Sequence, residues 1–260
     1  MQATVYPAPL AGEHHDWLDR LHSELGLHVW SPVMAPIAEK LGKNIPLSVE
    51  DGLVLYHHPD LHEVGALANI VRKARFGLKT FFNSNVHINQ TNICVLACRF
   101  CAFRRGPKAH DAYAMSVDEY VADLSQYAHA VDEVHSVGGL HPDWGIEHYE
   151  ALFARVTNEH PHVSIKALTA VEIKHLSQRS SIPTKEVLRR LKNAGLTSLP
   201  GGGAEILDDD VRAVICNGKE SSAEYLQIHR EAHEVGLPST CTMLFGTIES
   251  LEQRLQHMVL

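Results

Sequence analysis

Three cysteines, Cys94, Cys98 and Cys101, lie within eight residues of one another in the segment NICVLACRFC. The segment directly follows a short apolar stretch with strand character, which indicates a loop at the carboxyl end of a strand. Three thiolates on one short loop can ligate three irons of a [4Fe-4S] cluster and leave the fourth iron open to a chelating substrate. The spacing therefore predicts an iron-sulfur site with these three cysteines as its metal ligands.

Two other interpretations of the cysteine group stay open. A closed zinc site needs a fourth ligand, which His110 or His87 could supply, although neither is paired with the cysteines in a usual arrangement. Free cysteines are also commonly buried as structural residues, but so tight a group rarely arises by chance. The two remaining cysteines, Cys216 and Cys241, are expected to be core or surface thiols.

Aromatic and basic residues flank the last cysteine of the group. Phe100 precedes it and Phe103 follows, so either ring could pack on the adenine of a cofactor or simply within the loop. Arg104 and Arg105 come next and could bind a substrate carboxylate or cap the loop in solvent. We predict cofactor contacts for Phe100 and Phe103, and substrate binding for Arg104.

Composition excludes several classes of partner. The 260 residues give room for one main α/β domain. With 23 basic against 31 acidic residues the net charge is −8, which disfavours binding to nucleic acid or to anionic membranes. No apolar run reaches the roughly 18 to 20 residues of a membrane span, and no basic segment followed by an apolar one opens the chain. Five cysteines with three in one group indicate reduced thiols, so we expect a cytoplasmic protein.

Two regions differ in their hydrophobic periodicity. Residues 1–75 show helical spacing in four segments and form a predicted helical N-terminal extension, in which Ser48 and Asp51 have the spacing of a capping box. Residues 76–260 alternate strand and helix patterns, with strand candidates at 80–89, 131–139, 162–168, 196–200 and 239–246. Five βα units predict a parallel sheet, and thus a partial or full TIM-type (β/α) barrel. Because the final helix pattern, LEQRLQHMVL, stops early, we expect an incomplete version of a longer protein.

The cysteine motif, with an aromatic residue before its last ligand, resembles the signature of the radical SAM superfamily. Within that superfamily the chain resembles the aminodeoxyfutalosine synthases of the futalosine route to menaquinone, on residues 87–103, 137–143, 165–173, 195–206 and 224–246. The related cyclic dehypoxanthine futalosine synthases and deazaflavin synthase subunits usually have a Ser-Pro type sequence where this chain has Thr169 and Ala170. One departure is Thr247, where the family usually has histidine; another is that the family continues well beyond residue 260.

The resemblance implies a transferase that uses S-adenosylmethionine as a co-substrate. Its 5′-deoxyadenosyl radical would add to the double bond of 3-[(1-carboxyvinyl)oxy]benzoate and give aminodeoxyfutalosine, methionine and bicarbonate. An electron donor such as flavodoxin or ferredoxin would reduce the cluster. A related radical SAM enzyme, or a zinc-binding module without catalysis, is the alternative.

Two glycine loops acquire roles from the same resemblance. Gly138 and Gly139 end the second strand candidate, where radical SAM proteins often bind the methionine amino group, although a tight turn would need glycine too. Glu205 follows a glycine run that could bind ribose hydroxyls or the methionine moiety, or form a plain turn. The run consists of Gly201, Gly202 and Gly203.

Polar residues at the carboxyl ends of the strands complete the expected site. His141 lies on a rim loop and is a candidate acid, base or hydrogen-bond group; His87 and Glu205 are the other catalytic candidates. Asn85, His87 and Asn89 alternate along the first strand, so they face one side, the lumen of a barrel. We predict that Asn85 and Asn89, together with Thr169, bind the substrate.

Overall fold

The computed structural model describes residues 12–260, so the part of the predicted N-terminal extension at residues 1–11 lies outside the described residues. The described chain divides into two compact units. One runs to Phe82 and includes Met258–Leu260, and the other comprises Asn83–His257. The boundary expected at residue 75 remains a prediction.

The smaller unit is helical, as the periodicity predicts. Its helices are α1 (Trp17–Gly26), α2 (Ala35–Gly42), α3 (Val49–His57) and α4 (Leu61–Phe76). The predicted capping box begins α3: the Asp51 N–H donates to Ser48 Oγ (3.3 Å) and the Ser48 N–H donates to Asp51 Oδ2 (2.8 Å). Apolar side chains on the inner faces form one core, which contains Leu21, Leu25, Met34, Ile37, Ala38, Leu67 and Ala74.

The larger unit contains a parallel sheet, which confirms the α/β class. Among the described residues it has four strands in the order β1 (Asn85–His87), β2 (Glu133–Ser136), β3 (Ser164–Ala167) and β4 (Leu196–Ser198). Val86 pairs with Val134, Val134 with Ile165 and Ile165 with Leu196, so one row of apolar residues crosses the sheet. Parallel pairing places the carboxyl ends of all four strands at the same edge.

The helices of this region are α5 (Val117–Tyr127), α6 (Ile146–Glu159), α7 (Ala170–Ser180), α8 (Thr184–Ala194), α9 (Asp209–Ile215), α10 (Ser222–Glu234) and α11 (Leu251–Val259). Of these, α5, α6, α7, α8 and α10 bury apolar side chains in the core that covers one face of the sheet, whereas α9 packs in a separate apolar cluster with Cys98 and Met243. Side chains such as Leu124, Phe153 and Leu191 join Val134 and Ile165 in a continuous buried core. All of these helices except α9 coincide with predicted ones. No helix within residues 12–260 is both long and apolar enough to cross a membrane.

The predicted fifth strand, at 239–246, was wrong in extent. Ser239 forms only a single parallel bridge with Leu199, and Thr242 N–H donates to the Gly201 carbonyl at 3.3 Å. Beyond that point Leu244 N–H donates to the carbonyl of Glu205, in the loop after β4. Glu205 has a φ of 48°, in the left-handed region, so the partner backbone is no longer extended and a regular ladder cannot continue.

Candidate active site

The three predicted metal ligands lie on the loop after β1, at the carboxyl edge of the sheet. The loop is tied to its surroundings through its backbone: Cys94 N–H donates to Arg105 O (3.1 Å), Cys101 N–H to Cys98 O (3.1 Å), and Arg99 N–H to Ile215 O (2.8 Å). All three thiols are free and partly exposed. They therefore form a single accessible group of sulfur donors.

Polar side chains before and after the cysteines brace the ends of this cluster loop. Asn92 Nδ2 donates to Asp111 O (2.9 Å), and Asn92 Oδ1 accepts the Tyr113 N–H (2.8 Å). Thr91 Oγ1 donates to Tyr113 O (2.7 Å), and the Tyr113 hydroxyl donates to Asn89 O (3.1 Å). The cysteine segment thus belongs to a loop whose two ends are joined by hydrogen bonds.

The surroundings of Cys98 disfavour its thiolate form. Burial raises the pKa of the Cys98 thiol to about 11, Lys219 acts in the lowering direction, and neighbouring thiols including Cys101 and Cys94 raise it further. Metal ligation requires the thiolate, so a bound cation must supply the compensation. Within residues 12–260 no three histidine, cysteine or acidic side chains converge as ligands of one ion.

The histidines considered as a fourth zinc ligand lie apart from the thiols. His110 has 96% of its side chain exposed and faces Asp111. His87 stacks on His135 of β2, with ring centroids 4.9 Å apart. The geometry therefore gives the zinc interpretation no support.

The aromatic and basic residues that flank the last cysteine have different partners. Phe103 meets Tyr113 edge-on at 6.3 Å, whereas the Phe100 ring lies 5.4 Å from Lys219 Nζ. Arg105 is occupied by Asp111 Oδ2 (2.6 Å) and by backbone carbonyls of the loop. The buried Nε of Arg104 has no hydrogen-bond partner among the described residues. Arg104 is thus the arginine of the pair with donor capacity to spare.

Gly138 and Gly139 lie where β2 leads into its loop, directly against the cluster loop. A Cβ on Gly139 would lie 2.1 Å from the Ile93 carbonyl oxygen, and one on Gly138 would lie 2.8 Å from Gln90 Nε2. Gly139 N–H donates to Thr91 O (2.8 Å). Gly139 is therefore needed for close packing of backbone on backbone, and Gly138 makes room for the side chain of Gln90. The contact of both glycines with the methionine moiety remains a prediction.

A buried carboxylate, Glu172, joins the loops that follow β1, β2 and β3. Its Oε2 accepts from Thr169 N–H (2.7 Å) and Oγ1 (2.8 Å), while its Oε1 accepts from Gly138 N–H (3.0 Å) and Gln90 Nε2 (3.4 Å). Burial raises the pKa of Glu172, and the hydrogen bonds from Gly138 and Thr169 act against that rise. Thr169, predicted to bind substrate, here supplies donors to this network.

His141 stands on the rim loop and stacks on Trp144, with ring centroids 4.4 Å apart. Its Nδ1 accepts the Asp143 N–H (3.2 Å), and burial lowers its pKa. Neutral His141 therefore carries its proton on Nε2 and presents a donor there. Trp144 also stacks on His148, whose pKa burial lowers to about 4 and whose Nε2 is buried without a partner among the described residues.

The glycine run after β4 packs against three different neighbours. A Cβ on Gly201 would lie 2.6 Å from Cys241 Cα, and one on Gly202 would lie 3.0 Å from Thr169 Cγ2. Gly203 has a φ of 92°, which favours glycine, and Glu220 Oε1 lies beside it. Glu205, the predicted catalytic carboxylate, is only 8% exposed and is paired with Lys219.

The polar residues of β1 take different positions. Asn85 and His87 point away from the helices, because Val86 and Ile88 pack in the core. Asn89 Oδ1 accepts the Val137 N–H at 3.3 Å. The face expected to be the barrel lumen is thus the side of the sheet that the helices leave uncovered.

One cavity opens beside the cluster loop, and the loop after α9 separates it from a second, larger cavity. The smaller, of about 130 Å³, reaches from the cluster loop to α7; the larger, of about 330 Å³, surrounds the loop after α9. Both are lined by Gly218 and Glu220, and one carboxylate oxygen of Glu220 is buried without a partner among the described residues.

Sequence reasoning missed Lys219 and Gln90, and it treated Glu172 only as a residue at the start of a helix. Gln90 directly follows the polar alternation of β1, but it lies on the opposite face, so that pattern assigns it to the core. Lys219 follows the Asn217-Gly218 turn signal, which could have indicated a tight loop but not which part of the molecule that loop contacts.

The two cysteines outside the cluster loop differ in exposure. Cys216 is buried, whereas Cys241 is exposed, which matches the core-or-surface expectation.

Thr247, which stands where the family usually has histidine, binds a nearby carboxylate. Thr247 Oγ1 donates to Glu249 Oε2 at 2.7 Å, and its N–H donates to the same oxygen at 2.9 Å. Thr247 therefore helps to hold the Glu249 carboxylate at the start of the last helical segment.

Comparisons with known proteins agree with this architecture. Aminodeoxyfutalosine synthase from Thermus thermophilus is 45% identical over 228 residues, which cover 87% of this chain and 61% of the relative. Cyclic dehypoxanthine futalosine synthase from Streptomyces coelicolor is 36% identical over 234 residues, covering 86% of this chain and 58% of the relative. The chain thus spans about three fifths of the length of these curated relatives.

A solved structure shares the fold without close sequence similarity. Methylornithine synthase (PylB) superposes with a TM-score of 0.66 at 17% identity, over 85% of this chain and 62% of that one. The family model described as Radical SAM superfamily matches residues 88–260, from the end of β1 through the cluster loop and the remaining sheet. Because that match covers well over half of the chain and includes all three candidate ligands, the chain belongs to the radical SAM superfamily.

Proposed function

We propose that the chain is the radical SAM portion of an aminodeoxyfutalosine synthase. It transfers the 5′-deoxyadenosyl group of S-adenosylmethionine to 3-[(1-carboxyvinyl)oxy]benzoate, with methionine and bicarbonate as the other products, in menaquinone biosynthesis. The observation that carries the choice of substrate is the 45% identity to aminodeoxyfutalosine synthase, against 36% to the cyclic dehypoxanthine futalosine synthase over a similar span.

Cys94, Cys98 and Cys101 hold the [4Fe-4S] cluster in this proposal. When bound, the cluster would supply the single electron for the reductive cleavage of S-adenosylmethionine. The donor set supports this assignment, because three free thiols share one loop whose ends are tied together. Phe100 and Phe103 flank the last ligand and contact the cofactor.

The loops around the cluster orient the co-substrate. Gly138 and Gly139 bring the backbone after β2 against the cluster loop and contact the methionine moiety. The run Gly201, Gly202 and Gly203 contacts the ribose from the opposite strand. Glu172 fixes the loops after β1, β2 and β3 to one another, so the site is formed before the substrates bind. A preformed site lowers the entropy that is lost when the reacting groups are brought together.

Residues with unused hydrogen-bonding capacity bind the second substrate. That substrate carries two carboxylates, and the unpartnered Nε of Arg104 is a donor suited to one of them. Asn85, His87 and Asn89 line the open face of the sheet near the reacting double bond. His141 presents its Nε2–H donor at the rim.

The surrounding cell supplies the remaining partners. Reduction requires a low-potential donor such as flavodoxin or ferredoxin, and we place the protein in the cytoplasm, where thiols stay reduced. These assignments follow from the proposed chemistry and are tested with it.

Anaerobic reconstitution with iron and sulfide, followed by mass spectrometry of the products, tests the proposal. We expect about four irons per chain and aminodeoxyfutalosine with methionine from the two substrates. Cys98→Ala should lose the cluster and all turnover, whereas the matched variant Cys241→Ala, at an exposed thiol, should keep both.

The other outcomes are distinct. Free 5′-deoxyadenosine without an adenosyl adduct would favour the cyclic dehypoxanthine futalosine synthase or deazaflavin synthase chemistry. Zinc in place of iron, with no visible charge-transfer absorbance, would leave a non-catalytic module. Turnover by Cys98→Ala would refute the cluster assignment itself.

A further inference from the structure

The loop that follows α9, residues 216–220, packs directly on the cluster loop. Lys219 N–H donates to Cys216 O (3.2 Å) and closes the turn. Gly218 has a φ of 90°, and a Cβ there would lie 3.1 Å from a methyl group of Leu96. Arg99 N–H donates to Ile215 O at 2.8 Å. A residue from far along the sequence is thereby brought beside the metal ligands.

Lys219 occupies this position as a buried, oriented charge. Its side chain is 10% exposed, its Nζ lies 2.5 Å from Glu205 Oε1, and the same Nζ lies 5.4 Å from the centre of the Phe100 ring. The ammonium therefore sits between a carboxylate and the aromatic ring that precedes Cys101. The ring face attracts a cation and limits where the ammonium can move.

Glu205 is itself fixed for this purpose. It is a non-glycine residue in the left-handed region, a conformation of higher energy that the surrounding structure must hold. Leu244 N–H donates to its carbonyl oxygen at 2.9 Å, and its side chain is 11% exposed. The carboxylate is thus held on Lys219 and is not free to act as a base.

Two of the arginines near this loop, Arg105 and Arg212, are committed to other groups. Arg105 binds Asp111 and carbonyls of its own loop. The guanidinium of Arg212 donates to the carbonyls of Gly203 and Ala204 and to Glu220. Lys219, in contrast, has its Nζ over the ring of Phe100, the residue that directly precedes Cys101.

We propose that Lys219, oriented by Glu205, is a positioning residue that balances the negative charge of the thiolate-ligated cluster and raises its reduction potential. Three thiolates leave the cluster anionic, and one added electron makes it more so. A cation held nearby in a partly buried site stabilises the reduced form more than the oxidised form. The inference rests on the proposed function, because it requires that these cysteines hold a cluster.

The test is a redox titration of the reconstituted protein with dithionite, monitored by electron paramagnetic resonance, with iron and sulfide content measured in parallel. In Lys219→Met the ratio of reduced to oxidised cluster at a given potential should fall about tenfold, as a charge lost from a partly buried site near the cluster implies. For a one-electron couple that ratio corresponds to a midpoint about 59 mV more negative. Lys219→Arg should restore a midpoint close to that of the unmodified protein.

Two further variants separate charge from folding. The double variant Lys219→Met with Glu205→Gln leaves no unpaired buried carboxylate, and its midpoint should still shift in the negative direction. The matched control Lys185→Met removes a lysine from the exposed Lys185–Glu234 pair and should leave the midpoint unchanged.

Each outcome bears on one proposal or the other. Equal midpoint potentials in the unmodified, single-variant and double-variant proteins, at equal iron content, would overturn the role of Lys219 but not the proposed function. Failure of the unmodified protein to form any cluster would overturn the proposed function and this inference with it. If the midpoint potential shifted as far in Lys185→Met as in Lys219→Met, the shift would be a non-specific effect of net charge. That result would also overturn the role of Lys219.

Discussion

Replacement of Gly139 by alanine tests whether the loop after β2 sets the position of Cys94, the first proposed metal ligand. The added Cβ would lie 2.1 Å from Ile93 O, 2.6 Å from Ile93 C and 3.0 Å from Cys94 Cβ. Ordinary contacts between carbon and a carbonyl oxygen begin at roughly 3.3 Å, so one of the two backbones must move by about 1 Å. Because the obstacle is backbone, rotation of a side chain cannot relieve it.

The size of the effect follows from these contacts. Overpacking of this kind destabilises by about 1 to 3 kcal/mol. The displacement also weakens the bond from Gly139 N–H to Thr91 O, 2.8 Å long, which contributes about 1 kcal/mol. We therefore expect Gly139→Ala to lower the free energy of unfolding by about 2 to 4 kcal/mol and to displace Cys94.

Urea unfolding of the anaerobic apoprotein measures the first effect, and iron content after reconstitution measures the second. Gly106→Ala is the matched control, because Gly106 follows the cysteines in the same region of chain and a Cβ there would meet no atom within 4 Å. Its free energy of unfolding should change by less than about 0.5 kcal/mol. If Gly139→Ala bound iron like the unmodified protein and unfolded at the same urea concentration, the packing argument for this glycine would be refuted.

Two further predictions concern buried carboxylates. Glu172→Ala leaves the N–H groups of Gly138 and Thr169 without their acceptor, at about 1 to 3 kcal/mol each, so urea unfolding should show a loss of about 2 to 6 kcal/mol; a loss below 1 kcal/mol would contradict the network. Burial alone would raise the pKa of Glu249, but hydrogen bonds, first among them that from Gly246 N–H, hold it at about 2. Because this folded-state pKa is depressed, the stabilisation is present above the ordinary value of 4.5 and is lost as the pH falls towards 2. The difference in unfolding free energy between the unmodified protein and Glu249→Gln should shrink over that range, and a constant difference would show that the carboxylate is not held this way.

The local features of the fold were predictable because they depend on neighbours in sequence. The four N-terminal helices follow from apolar periodicity, and the capping box at Ser48 follows from two residues three positions apart. The four short strands lie within their predicted ranges. By contrast α9 has only seven residues, too few to show a helical period, and the 239–246 segment has strand-like composition but meets a loop whose backbone is left-handed at Glu205.

Some residues of the candidate site could be predicted from the sequence, and others are brought there only by the fold. The spacing of Cys94, Cys98 and Cys101 by itself predicts the sulfur donors, because all three cysteines belong to one loop and their separation along the chain is fixed by the sequence. Only the tertiary structure decided that Lys219 lies beside them and that Glu172 joins three loops. Those contacts connect residues that are tens of positions apart, and they exist because parallel strands bring the loops at their carboxyl ends to one edge of the sheet.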